Sequence, residues 1–192
     1  MSRSQRSRSL RGRSLRGRAL RRASWLPLAV LAACGAGTEG TAELEQRLLA
    51  AAERMAVAFT TMDLDAQVEL THPSVVRQLG GEQGYRRVLE RGKASLAKVE
   101  PPKGRITGVD GLVVRGESAF AFVRIELEMT NQSGERGVVD SYFAAESPAD
   151  GSSWKFLDGS GLQGSLALLR KAIPAWPDEL PPPQTAGTFR KL

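Results

Sequence analysis

The residues able to do chemistry are few and lie far apart. His72 is the only histidine and Cys34 the only cysteine. His72 falls within Thr61–Val76, the stretch that joins a long helical pattern to the rest of the domain, and it directly precedes Pro73. A neutral imidazole beside a carboxylate can pass a proton near pH 7, which makes His72 the natural centre of an acid-base reading. A histidine at such a corner serves equally well to bond backbone groups. With one histidine and one cysteine, only carboxylates remain for a metal, and they lack calcium-loop spacing, so no metal site is expected. Gly159-Ser160-Gly161-Leu162-Gln163-Gly164 fits the pattern G-x-G-x-x-G. A dinucleotide site needs a further parallel strand after that loop, whereas prolines follow here. The segment reads as the start of a helix, and no cofactor is expected. Neither a G-x-S-x-G elbow nor a phosphate-binding loop occurs.

Charge is unevenly distributed. Residues 1–33 carry nine arginines and no acid, while from Cys34 onward 18 Lys+Arg face 21 Asp+Glu. The formal net charge of +6 therefore belongs to a leader, and no nucleic-acid partner is expected, because phosphate neutralisation needs positive charge on the folded part. The leader has a basic zone, an apolar run from Trp25 to Ala33 too short to span a bilayer, and small residues, in the order of an export signal. Leu31-Ala32-Ala33-Cys34 resembles a bacterial lipobox, in which the cysteine is acylated and becomes the first mature residue. The resemblance implies a lipid-anchored protein of the bacterial cell envelope, held in the membrane through Cys34. An ordinary secretory signal beside a free cysteine is the alternative.

Around these residues the elements can be read in order. Cys34–Gly40 is expected to be a flexible tether, with Thr41 capping the helix after it. Leu44, Leu48, Ala51, Ala52, Met55, Phe59 and Met62 form one apolar helical stripe. Asp63 or Asp65 can cap a short second helix. Pro73 forces His72 out of helical geometry, and Ser74-Val75-Val76 is expected to be extended. A second long amphipathic helix is expected over 82–99, ended by Pro101-Pro102. The period then changes to two, predicting strands over 105–114, 118–130, 138–146 and 154–158, the first broken between Gly108 and Gly111. In the long strand Ala119, Ala121, Val123, Ile125, Leu127 and Met129 share one face, opposite Arg124, Glu126 and Glu128. The class is α+β: N-terminal helices packed on a curved antiparallel sheet, one domain over 41–173. Leu162, Leu166, Leu169 and Ile173 predict a C-terminal helical appendix, and residues 174–192 a Pro-rich tail without regular structure.

This order, with Met62-Asp63-Leu64-Asp65-Ala66, His72-Pro73-Ser74-Val75-Val76, a glycine turn and Trp154-Lys155-Phe156-Leu157-Asp158-Gly159, resembles the nuclear-transport-factor-2-like (SnoaL-like) cone fold over roughly residues 42–158. The resemblance implies a conical pocket lined by Phe59, Tyr85, Phe143, Trp154 and Phe156. In an enzyme of this fold it further implies an acid-base pair, for which His72, Asp158 and Tyr142 are the candidates, with Asp65 behind them. The fold is shared by many functions. The expected role is non-catalytic: binding a small apolar ligand, or a homodimer or envelope-protein partner across the sheet face bearing Arg124, Glu126 and Glu128. The alternative is a small isomerase, cyclase or dehydratase using His72 with a carboxylate.

Overall fold

The structure is a computed structural model, and it describes residues 36–96, 100–130, 133–162, 164–184 and 187–192. The export-signal and lipobox residues, including Cys34, lie outside the described residues, as do Val99 and Gln163.

Helix α1 (Ala36–Thr61) begins five residues earlier than the expected tether allows. Elongating a helix adds one hydrogen bond per residue fixed, so the register anchored by buried Leu44 and Leu48 propagates backward through Gly37 and Gly40. Asp63 caps α2 (Leu64–Leu70), its Oδ1 accepting from the Ala66 amide at 3.1 Å. The expected extension after Pro73 is instead a short helix, α3 (Pro73–Gln78). Proline ends a helix from within but suits its first position, where φ is preset and the missing N–H is not needed. His72 is non-helical as expected (ψ 133°), and serves as the N-cap. Helix α4 (Gly81–Leu96) follows.

Three strands of thirteen residues each, β1 (Lys103–Arg115), β2 (Ser118–Thr130) and β3 (Arg136–Pro148), form an antiparallel meander. Strand β1 slips register twice, between Ile106 and Gly108 and between Asp110 and Leu112, as its glycines predict. The other edge of β3 is shared by two short strands placed end to end. β4 (Lys155–Asp158) pairs with Phe143–Glu146, and β5 (Thr188–Lys191) with Gly137–Asp140. The C-terminal residues therefore complete the sheet rather than trailing from it. Gly137 is what admits β5: a Cβ there would lie 2.3 Å from the Phe189 ring.

The two sheet faces are covered differently. On the inner face α1 lays Leu44, Leu48, Ala52, Met55 and Ala56 against Ala119, Ala121, Val123 and Ile125, with Phe143, Trp154 and Phe156 beside them. Half of the outer face is also dry. There Phe120, Phe122 and Tyr142 are covered by Leu162, α5 (Leu166–Ala172), Ile173, Trp176 and Leu180. The supposed tail is thus core, because two phenylalanines on the outer face of β2 require a cover. The other half of that face is a lattice of charge: Arg105 pairs with Glu126, Arg190 bridges Asp140 (2.8 Å) and Glu126 (3.2 Å), Arg124 meets Asp110 (3.0 Å) and Arg136 meets Glu128.

Candidate functional site

His72 is placed by three backbone decisions. Pro73 keeps it extended, its own N–H donates to the Phe156 carbonyl at 2.7 Å, and Thr71 forms a parallel bridge to Phe156 beyond the β4 edge. The imidazole then meets Glu146 rather than Asp158 or Tyr142. His72 Nε2 lies 2.8 Å from Glu146 Oε2, and Nδ1 lies 2.6 Å from Ser74 Oγ and 3.2 Å from the Ser74 amide. An amide can only donate, so Nδ1 accepts, and the proton of the neutral ring sits on Nε2, where it donates to Glu146. Serine, imidazole and carboxylate in this order have the composition of a nucleophilic triad. However, His72 and Ser74 are both buried, and none of the solvent-open grooves described below is lined by either of them or by Glu146. Both ring nitrogens are committed, one to capping α3 and the other to tying that cap to β3.

The remaining candidates are scattered. Asp158 is exposed, its Oδ1 accepting from the Ser160 amide (2.9 Å) and its Oδ2 from the Ser160 hydroxyl (2.7 Å), which makes it a turn former. Asp65 pairs with Arg86 at 2.6 Å on the surface. Tyr85 is buried and its hydroxyl lies 2.9 Å from Thr71 Oγ1. Phe143 and Phe156 belong to the inner core rather than to the wall of an open pocket, Trp154 packs in the same core and also lines a groove beside α1, and Phe59 is half-buried. The inner face is filled because alanines at 52, 119, 121 and 145 let α1 approach the sheet closely; all four are at most 0 % exposed. Gly159, the first glycine of the G-x-G-x-x-G run, serves Tyr142, whose ring would lie 2.4 Å from a Cβ there.

Tyr142 belongs to the outer core. It stands edge-to-face on Phe122 (5.2 Å, 85°), and among the described residues its buried hydroxyl has no hydrogen-bond partner. Burial pushes its phenol above the usual 10.0, the Asp158 charge adds to this, and the Gly164 backbone acts in the opposite sense from outside hydrogen-bonding geometry. Tyr85 is raised by burial first and by Asp158 last, with Thr71 opposing. A raised folded pKa means that the unfolded tyrosine loses its proton first, so stability falls as pH climbs above about 10. Tyr142→Phe should therefore gain about 1 kcal/mol at neutral pH by removing an unsatisfied hydroxyl, and should blunt the alkaline loss. Urea unfolding at pH 7 and pH 10.5 reads both effects.

Among the described residues several grooves open to solvent. One of about 530 Å³ lies between α3, the 3₁₀ turn Gly159–Leu162 and α5, with Val75, Leu157, Leu162 and Leu168 as apolar wall and Asp158 and Lys171 at its rim. A second, about 440 Å³, lies between α1, the end of α2 and the β3–β4 loop. The third, about 370 Å³, runs over the charged half of the outer face beside Lys103, Arg105, Glu126 and Glu128. Among the described residues no cluster of three or more histidines, cysteines or acids is arranged to hold a metal, and no helix is long and apolar enough to cross a membrane.

No protein-family model matches the chain, and no curated protein matches it. Among solved structures, the chain is similar to Rv3472, a protein of unknown function from Mycobacterium tuberculosis, with a TM-score of 0.44 and 15% identity, covering 74% of this chain and 91% of that one.

Proposed function

We propose that the chain is an exported bacterial envelope lipoprotein, anchored through an acylated Cys34, whose nuclear-transport-factor-2-like domain is a non-catalytic binding module. Its ligand is small and largely apolar, and it lies in the groove between α3 and α5. One observation carries this reading. Both ring nitrogens of the only histidine are engaged in holding a helix corner, while the α3–α5 groove offers an apolar wall with one acid and one base at its rim, the usual make-up of a small-ligand site. Leu168 is 45% exposed on that wall, and a ligand lying there would cover it.

Mass spectrometry of the protein purified from cells should find a bound small molecule, and Leu168→Glu should reduce its occupancy about tenfold by putting a charge against the apolar wall. Turnover that vanishes in His72→Asn would support the isomerase-type enzyme instead. Anchoring is tested separately: Cys34→Ser should move the protein from the membrane fraction to the soluble one, and retention in the membrane sinks the lipoprotein reading. A second reading places a partner protein or a second copy of the chain across the charged half of the outer face. It is favoured by the exposure of Arg124 and tested by charge reversal there or at Glu126.

A further inference from the structure

The two helices that flank the α3–α5 groove meet it with the same pairing of side chains. Val75 and Gln78 on α3, and Leu168 and Lys171 on α5, all line the groove, and each pair is three residues apart. Residues three apart on a helix are neighbours on one face, with about 5–6 Å between their Cβ atoms. Each apolar wall residue therefore has a polar one directly beside it. Leu157 and Leu162, both packed in the outer core, complete the apolar lining.

The charges around this groove are not equivalent. Asp158 has both carboxylate oxygens engaged by Ser160, Oδ1 by the amide at 2.9 Å and Oδ2 by the hydroxyl at 2.7 Å. Arg170, the other base in the last turn of α5, is held by the Trp176 carbonyl and by Asp178. Lys171 differs: it is exposed, and among the described residues its ammonium has neither a salt bridge nor a hydrogen-bond partner. It does not pair with Asp158, although both line the groove. An ammonium on a flexible four-carbon stem, one helical step from the 45% exposed Leu168, can reach the end of a molecule lying on that wall. A cation there would be repelled and a neutral end would gain little, whereas an anion would find a free, charged donor. Asp158 sets the direction, because a negative end is favoured on the α5 side of the groove and disfavoured beside the carboxylate.

We infer that the ligand of this groove is a small amphipathic anion, with its apolar body on Val75, Leu157, Leu162 and Leu168 and its negative end at Lys171 Nζ. The inference rests on the reading of this groove as the ligand site and adds the sign and the position of the ligand's charge.

The test compares octanoate, octanol and octylammonium, which share one chain length and differ in charge. Each is titrated into the purified protein carrying carbon-13 leucine methyls, and the Leu168 signal, assigned by Leu168→Ile, reports binding. Octanoate should shift that signal saturably, with an affinity about threefold to fivefold above that of octanol, the scale of an exposed ion pair, and octylammonium should bind most weakly. The preference should shrink at high salt. Lys171→Gln should bring octanoate down to the level of octanol while leaving octanol unchanged, and Lys171→Glu should put octylammonium ahead of octanoate. Octanol or octylammonium binding as tightly as octanoate, or a preference for octanoate that survives in Lys171→Gln, overturns the inference and leaves the groove standing as an apolar site. If none of the three compounds shifts the Leu168 signal, the reading of the groove as a ligand site fails and the inference fails with it.

Discussion

Replacing Trp176 by alanine should lower the unfolding free energy by about 3–5 kcal/mol, roughly a fifth or more of what a domain of this kind has in total. The indole is 2% exposed and meets Phe120 at 5.5 Å and Phe122 at 4.8 Å. Its N–H donates to the Leu180 carbonyl at 2.8 Å, which closes the turn that brings Leu180 down beside it. The Trp176 carbonyl in turn accepts from the Arg170 guanidinium at 3.3 Å. Truncation thus removes the cover of two phenylalanines and also the tie that shapes the segment after α5. At roughly 2–4 °C per kcal/mol for a chain of this size, the melting temperature should fall by about 6–20 °C. Trp176→Phe keeps the ring contacts and loses only the bond to Leu180, so it should cost about 1–2 kcal/mol. A Trp176→Ala protein that melts within about 2 °C of the parent would show that residues after 173 are not part of the core.

The same residue shows where sequence reading stopped. The strand period placed Ala119, Ala121, Val123 and Ile125 on one face correctly, and the meander and a break in β1 near Gly108–Gly111 followed from local signals, though not that the register slips twice. The same alternation puts Phe120 and Phe122 with Arg124, on the face expected to be wet. Two large aromatics there imply a third layer, and Trp176 and Leu180 are the apolar residues left to supply it. The prolines around them obscured this, since proline ends regular structure without ending packing. β5 was hidden for a different reason: four residues pairing with a strand about fifty positions earlier leave no local pattern. For the candidate site, the geometry of His72 was legible from Pro73, but its partner was not. Glu146 lies 74 residues away, and only the route of the chain around the β4 edge brings it to the ring.

His72→Ala should be the most damaging change among the polar residues, costing about 2–4 kcal/mol with no accompanying change in fold topology. The estimate has two parts. Losing an N-cap costs about 1 kcal/mol, and leaving buried hydrogen-bonding groups without a partner costs about 1–3 kcal/mol. The orphaned groups here are the Ser74 amide, whose residue is buried, and the Glu146 carboxylate, whose side chain is 25% exposed and so retains some water. The conservative variants separate the two jobs. In His72→Asn the side-chain oxygen can still accept from the Ser74 amide, since asparagine is among the best N-caps, so most of the first part is recovered and the tie to Glu146 is lost. Glu146→Gln keeps an acceptor for Nε2–H and removes only the charge, so it should cost less than His72→Ala. Because the two residues share one hydrogen bond, the double variant His72→Ala/Glu146→Gln should be less destabilised than the sum of the singles, which a double-mutant cycle in urea measures directly. Additive losses would mean that the ring and the carboxylate do not act together. A His72→Ala protein within about 0.5 kcal/mol of the parent would mean that the corner is held by Pro73 and the Phe156 carbonyl alone, returning His72 to the list of groups free to do chemistry.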